Sequence, residues 1–582
     1  AVPRDVFLVT CALFWLWMFA AIFWSVAPFT SFVSFGTFSL LPVSFLAFSM
    51  VNDKDKFFRR CLYGALIVIA GLSVWALAQY FVFTDLLYRG QVRVPFANPN
   101  AYAALLSLGF FAGLGLMISA PERVQSNLFL LFCLLVLAAI MVTGGRMVLL
   151  CLVAALAVFA VMERETIMAR HRRCFGAVVA GAVILFAAIS LFDSDMHKVP
   201  LERMHGFFTT DSNTLAIRLD IWAAAWAMVH ENFIWGTGPG TFFLFFSQYR
   251  MEREFYSVGL RAHSDPLQFW SEAGLPAFIL FYAFIGAAFW RMVKYLRAAD
   301  KGARSFAVAL FCGLGALIVH SHISFNFYVA SILCFAGLLL AYWYGETGKV
   351  LGAGKIFTIK FPETMGVAGA QMLVAVPFLV LLFFLQGALG SFYYTGTAKQ
   401  ALQDSDMNKF ARDVNRADKA GFGWHAQPYI LAAHVPLAIL ETQGGSLPEG
   451  EKKQLVQQVE TLLDSAAAHN GRLVSVPHYR AKLEMLAEEE GHEGRAETYL
   501  KQALMIDPLH LPSRMMLSDI YLYDQKITQA YDLLKAGLPW PYHQHDVMAY
   551  YKRLSLLSVT QGDDDTYKSV TKKIEILQKT KN

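Results

Sequence analysis

The sequence predicts an all-α protein in two parts: a polytopic bundle of transmembrane helices over residues 1–395 and an α-helical repeat domain over 396–582. Two observations predict it. The composition, 56% hydrophobic against 16% charged with 49 Phe and a mean hydropathy of +0.44, is that of a chain that meets lipid over much of its length. From about residue 396 the long apolar runs stop and amphipathic helical periodicity takes over, the pattern of helices with one wet face. The net charge of +5 gives no case for nucleic acid as a partner. The seven cysteines, Cys11, Cys61, Cys133, Cys151, Cys174, Cys312 and Cys334, lie in or beside apolar runs without CxxC spacing and read as small buried hydrophobes. The chain opens on AVPRDVFLVT, without a starting Met or a cleavable signal pattern, and is expected to begin inside a longer protein.

Eleven apolar runs approach the roughly 20 residues needed to span a bilayer. They are 6–29, 31–51, 61–83, 101–120, 127–143, 147–162, 174–192, 266–290, 305–319, 323–344 and 370–393. Lys and Arg mark the cytoplasmic side of such a protein, and they collect in alternate loops. These hold Lys54, Lys56, Arg59 and Arg60; Arg164, Arg170, Arg172 and Arg173; Arg291, Lys294, Arg297, Lys301 and Arg304; and Lys349, Lys355 and Lys360. The topology this implies starts in the cytoplasm and puts the loop 193–265 and the C-terminal domain on the far side.

That C-terminal domain carries a repeat. Ala496/Ala530, Leu500/Leu534, Ala503/Gly537, Leu483/Leu517 and Leu486/Ile520 each stand 34 residues apart, the period of tetratricopeptide repeats. Two helical hairpins are predicted there, with a more degenerate helical stretch before them at 396–470.

The unusual polar residues of the membrane part all emerge on the non-cytoplasmic side. They are Asn98 and Asn100 in PFANPNAYA, Arg146 in TGGRM, Arg218, His263, and the pair His320 and His322. Each alone fits a helix cap or an interfacial anchor, but the set suggests one cavity. Residues 215–230 read as a helix lying on the membrane, with Leu215, Leu219, Trp222, Trp226 and Val229 on one face. Arg218 stands one turn before Trp222, where its guanidinium fork suits a diphosphate; pairing with Asp220 is the alternative. The turn GTGPGTF at 236–242 is read as a sharp reversal and not as a phosphate cradle, because no Lys-Ser/Thr follows and Pro239 removes an amide.

In RAHSDPLQFWSEAGLPA, Asp265-Pro266 marks a helix start with Asp265 as cap acceptor. His263 then sits in the loop just before it, an imidazole placed to act as general base toward a hydroxyl. Glu272, two turns deeper, is a carboxylate inside a span and needs a partner. Arg146 opens its helix as a second phosphate ligand or an interface anchor. His320 and His322 lack a third metal ligand. Asp193-Ser194-Asp195 reads as a solvated acidic turn in preference to a metal-binding DxD.

These segments resemble the O-antigen ligase/polymerase superfamily of bacterial envelope glycan enzymes. The matching pieces run in the family's order: FANPNAYA (96–103), TGGRM (143–147), RLDIWAAAWAMVHENFIWGTGPGTF (218–242) and HSDPLQFWSEAGLPA (263–277). The last fits a ligase-type pattern through His263, Ser264, Gly274 and Ala277. The resemblance implies a GT-C-like membrane fold in the bacterial inner membrane and a metal-independent, cofactor-free glycosyltransferase. It would take a glycan from undecaprenyl diphosphate on the periplasmic side and join it to a lipid or glycan acceptor, in the first reading a lipid A-core. In a second reading it polymerises lipid-linked repeat units. His263 would activate the acceptor hydroxyl while Arg218 and Arg146 hold the diphosphate, helped by Arg250 or Arg261. Asn98, Asn100, Trp222, Glu272, His320 and His322 would line the same substrate site. The segment HISFNFYVAS lacks the acidic pattern of relatives that glycosylate proteins. A flippase of lipid-linked glycans would need polar residues through the spans, and these carry almost none. The repeat domain, absent from the simplest ligases, suggests a protein partner or a guide for a long glycan.

Overall fold

The computed structural model describes residues 2–3, 5–49, 54–87, 91–192, 213–251, 259–352, 356–357, 366–487, 491–540, 542 and 547–579. Eleven helices carry the eleven apolar runs: Val6–Ala20 with its 3-10 extension Ala21–Trp24, Pro28–Ser49, Lys54–Phe81, Pro99–Ser119, Arg123–Thr143, Arg146–Met162, Arg172–Phe192, Asp265–Ala298, Ser305–Ser321, Ala330–Leu351 and Gly366–Gln403. Eight helices among the described residues are long and apolar enough to cross a membrane, and Arg146–Met162 and Ser305–Ser321 are shorter apolar ones. The molecule is a multi-pass membrane protein. Pro99–Ser119 is its axis, buried along nearly its whole length against Arg123–Thr143, Lys54–Phe81 and Ser305–Ser321. Cys133, Cys151 and Cys312 are buried as expected of small hydrophobes, but Cys334 is exposed on the side of its helix.

Two runs are shorter as helices than as sequence. The first ends at Trp24, because Ser25–Ala27 turn the chain and Ser25 Oγ accepts the Ala27 N–H at 3.1 Å. The run 323–344 becomes helical only at Ala330, since 322–329 is a polar link held by Asn326 and Asp265.

The ends of the spans sort into two faces. On one, Arg304 meets the buried Glu163 at 2.8 Å and Lys301 meets Glu165 at 2.7 Å. Arg291 pairs with Asp5 and bonds Thr347 Oγ1 at 2.8 Å. A two-residue ladder joins Val2–Pro3 to Ile356–Phe357 there. Loops rich in Lys and Arg therefore share a face, as alternate loops of a serpentine bundle must. The other face carries the site described below and the C-terminal helices.

Those helices follow as Met407–Ala420, Ala426–Gln443, Glu449–His469, Ser475–Ala487, His492–Ile506, Leu511–Tyr523, Ile527–Lys535, Val547–Gln561 and Asp564–Lys579. The residues spaced 34 apart are its core: Ala496, Ala530, Leu500, Leu534, Leu483 and Leu517 are all buried. At Gly537 a Cβ would come 2.6 Å from the Tyr542 hydroxyl, so the second copy of the Ala503 position has shed its methyl. The C-terminal helices touch the short helix Phe242–Tyr249, which lies between two spans along the chain, through Arg472, which bonds Gln248 Oε1 at 2.6 Å and lies 4.3 Å from the Phe245 ring.

Candidate active site

A single carboxylate locks three distant segments together on this face. The helix Asp265–Ala298 breaks at Gly274, where φ is 76°, a left-handed conformation open to glycine. The break leaves backbone groups over, and the turn after the surface helix Asn213–Glu231 takes them. Thr237 N–H donates to Ser271 O at 3.2 Å, Gly238 N–H to Glu272 O at 2.7 Å, and Leu275 N–H to Phe233 O at 3.0 Å. A Cβ on Gly274 would stand 1.8 Å from Ile234 O, and one on Gly236 2.3 Å from the Glu272 carbonyl carbon. Neither position has room for a side chain.

Glu272 then closes the seam. Its Oε2 accepts the Gly240 N–H at 2.6 Å and the Tyr328 hydroxyl at 2.7 Å; its Oε1 accepts the Phe242 N–H at 3.1 Å and Gln268 Nε2 at 2.9 Å. Two amides of the turn 236–242, those of Gly240 and Phe242, thus serve a carboxyl group of the protein itself. With four donors and no exposure, Glu272 anchors these segments to one another. The Arg261 guanidinium lies 3.8 Å over the Tyr328 ring, and its charge reaches both Glu272 and Asp265. Asp265 does not cap its own helix as predicted. It is buried and accepts the Phe327 N–H at 3.2 Å, tying the helix start to the link 322–329.

This frame positions the titratable cluster. Arg218 lies on the surface helix, and its pKa is lowered by burial and then by the nearby charge of Arg146. Arg146 opens its helix directly after Gly144, whose left-handed φ of 68° ends the preceding one. The TGGRM motif is therefore a tight interhelical turn that delivers an arginine to the surface. Asn100 stands beside it, for a Cβ on Gly145 would lie 3.5 Å from Asn100 Oδ1. The charge of Arg218 also acts on His263 and on His320, so groups from four segments lie within electrostatic reach of one another.

His263 has a φ of 52°, which costs a non-glycine residue on the order of 1 kcal/mol and turns its ring edge-on to Phe325 at 5.1 Å. Burial, and after it the Arg218 charge, push its pKa down to about 4. The imidazole is neutral near pH 7 and has a lone pair to receive a proton. His320 is buried, and its Nδ1 is 3.1 Å from Asn326 Nδ2. An amide nitrogen only donates, so the His320 proton sits on Nε2.

The other predicted residues make the following contacts. His322 parts from His320 and contacts Tyr282 Oη and Ile318 O, each at 2.9 Å, joining two spans. Asn98 is a helix cap whose Oδ1 accepts the Asn100 N–H at 2.7 Å. Arg250 lies 4.8 Å from the Phe246 ring. Trp222 is half-buried one turn from Arg218, and its indole N–H is buried with no hydrogen-bond partner. On the surface helix the predicted stripe is partly outward, with Leu219 and Trp226 exposed, while Val229 is buried and the Leu215 side chain lies outside the described residues. The face that packs on Phe242–Tyr249 is instead Ile221, Ala224, Ala225 and Met228. Alanines that carry little hydrophobic signal hid that contact from a sequence reading. Asp193-Ser194-Asp195 lies outside the described residues. Sequence reasoning missed Gln268, Asn326 and Tyr328; a polar Asn inside the apolar run SFNFYVAS was the available signal.

A protein-family model described as O-antigen ligase matches residues 131–282, a stretch that holds Arg146, Arg218, His263 and Glu272. The match indicates a function of the O-antigen ligase or polymerase type, in a glycosyltransferase-like enzyme. No curated protein matches. Among solved structures, the crystal structure of yeast Tom70 aligns over 90% of this chain and 100% of its own at 12% identity, with a TM-score of 0.27. A score that low carries no argument about either part.

Proposed function

We propose that the chain transfers a glycan from an isoprenoid diphosphate, undecaprenyl diphosphate in a bacterial inner membrane, to an acceptor hydroxyl on the periplasmic side. Ligation of a surface polysaccharide to a lipid A-core type acceptor is the leading form. One observation carries the reading: Arg218 is within electrostatic reach of Arg146, His263 and His320. Two guanidinium forks within electrostatic reach of each other can share one diphosphate leaving group.

The chemistry follows from these placements. The acceptor oxygen attacks the anomeric carbon while neutral His263 takes its proton. The bond from that carbon to the phosphate oxygen breaks, and the electron pair leaves with the diphosphate. Arg218 and Arg146 stabilise the charge as it collects there, an effect of about 10²–10³ in rate for one such donor. The phosphoanhydride-bearing donor supplies the driving force, so the reading needs neither nucleotide nor metal. Asn100 and Trp222 stand close enough to Arg146 and Arg218 to contact the donor, and His320 Nε2 offers a further hydrogen-bond donor.

The test is transfer by the purified chain from a synthetic undecaprenyl-diphosphate glycan in liposomes, with His263→Ala and Arg218→Ala alongside. Glycosidic bond formation that both variants cut by about 10²-fold or more is expected. Movement of the lipid between leaflets with no bond formed would mean a transporter. A polymerase reading competes, because the matched family description does not separate chain joining from ligation. Deleting the gene is expected to leave long undecaprenyl-linked polymer; accumulation of single repeat units would select polymerisation.

A further inference from the structure

The helix Met407–Ala420 folds back along the span Gly366–Gln403, and its far end goes deep. Ser391 Oγ donates to Ala417 O at 2.7 Å, and a Cβ on Gly387 would stand 2.7 Å from Ala420 O. The tip that follows, Gly421–Trp424, is shaped by left-handed backbone at Phe422 (φ 55°) and Gly423 (φ 73°). Its Phe422 ring reaches Phe384 at 4.9 Å and Phe383 at 5.7 Å, both inside the apolar segment Phe378–Gln403.

The depth of this tip can be read along the helix it lies on. Phe392, Tyr393 and Tyr394 end the apolar run, and Phe392 and Tyr393 are exposed, the placement of an interfacial aromatic belt. Gly387 is six residues below Tyr393, about 9 Å at the 1.5 Å rise of a helix. A loop at that level cannot lie in water above the headgroups. It nonetheless turns large apolar groups outward, with Trp424 52% and Phe422 40% exposed. His425, the next residue, is buried between Phe29 and Phe392 at ring distances of 4.5 and 5.0 Å, which fixes the tip against two spans. Higher on the helix Met407–Ala420, Arg412 and Arg416 are exposed on either side of Asp413, and the Arg416 guanidinium lies 5.6 Å from the Tyr394 ring of the belt, basic groups within reach of lipid phosphates.

We propose that the tip Gly421–Trp424 inserts into the bilayer interface as a lipid anchor and so sets the C-terminal helices at a fixed height over the membrane. Its occupant is phospholipid, acyl chain against the Trp424 and Phe422 rings and phosphate against Arg412 and Arg416. The argument uses depth alone and holds whether or not the chain transfers glycans.

The test replaces Trp424 with the photocrosslinking residue p-benzoylphenylalanine in the full chain, in nanodiscs of phosphatidylethanolamine and phosphatidylglycerol. A second sample carries it at Met407, which is equally outward, 47% exposed, at the other end of the same helix. Mass spectrometry is expected to find a phospholipid adduct at 424 at least tenfold above that at 407. Equal adducts at both positions, no lipid adduct at 424, or a crosslink there to a second copy of the chain would overturn the proposal.

Discussion

The two faces of the membrane bundle treat buried charge in opposite ways. At the face of the Lys- and Arg-rich loops, a cation entering the protein meets a carboxylate: Arg304 meets Glu163, and Arg291 meets Asp5. At the other face the acids are occupied internally, Glu272 by four neutral donors and Asp265 by the Phe327 amide. Arg218 is left facing burial and the like charge of Arg146. The first arrangement is complete and structural. The second gathers two arginines and two histidines within electrostatic reach of one another, the kind of cluster that marks a functional site.

Removing a cation from each face should therefore have opposite signatures. Arg218→Ala is expected to cut transfer by about 10²–10³, the scale of one lost charge stabiliser, with the thermal midpoint in detergent unchanged or raised. Arg304→Ala is expected to destabilise by about 3–5 kcal/mol, because it strands the buried Glu163, while turnover per folded molecule stays at the parent level. A drop in midpoint for Arg218→Ala equal to that for Arg304→Ala would erase the distinction. Gly274→Ala tests the frame between them. Its left-handed φ alone costs on the order of 1–2 kcal/mol, and the Ile234 clash at 1.8 Å adds to it. Both stability and transfer should fall together there, as they must if the seam aims His263.

How much of this was legible depends on what kind of signal each part leaves. Span positions were, because hydropathy over about 20 residues is set by lipid and not by packing partners. Their sharing of faces followed from the positions of basic loops, and the Arg304–Glu163 pair joins two loops placed on one side by that argument. The 34-residue repeat was legible because Leu500 and Leu534 occupy equivalent buried sites. His263, Arg218 and Arg146 stood out as polar groups at the mouths of apolar helices, and Arg218 lies within electrostatic reach of the other two. What the sequence hid was polar bookkeeping. An Asp before a Pro looks like a cap whether its oxygen turns to its own helix or, as Asp265 does, to Phe327 sixty-two residues away. A Gly-Pro turn does not announce that its amides serve Glu272. The His320/His322 spacing cannot say that one ring turns to Asn326 and the other to Tyr282.

The smallest expected effect is the most specific, because it reads the face of Arg218 directly. Burial first, and Arg218 second, lower the His263 pKa from an ordinary 6.5 to about 4. If neutral His263 receives the acceptor proton, activity is flat from pH 8 to pH 5 and falls only as the imidazole protonates on the way down through about 4. Replacing Arg218 by Gln removes the second cause and leaves the first, so protonation becomes easier. The acidic limb of the residual rate should then move up in pH, toward but not as far as 6.5. Rates of donor turnover between pH 3.5 and 8, in vesicles checked for retained fold, would show it. On the opposite face Lys301→Gln removes a charge from an exposed pair with Glu165, far from the imidazole, and should leave the limb where it was. A limb that shifts equally in both variants would report net charge and not the influence of Arg218 on His263.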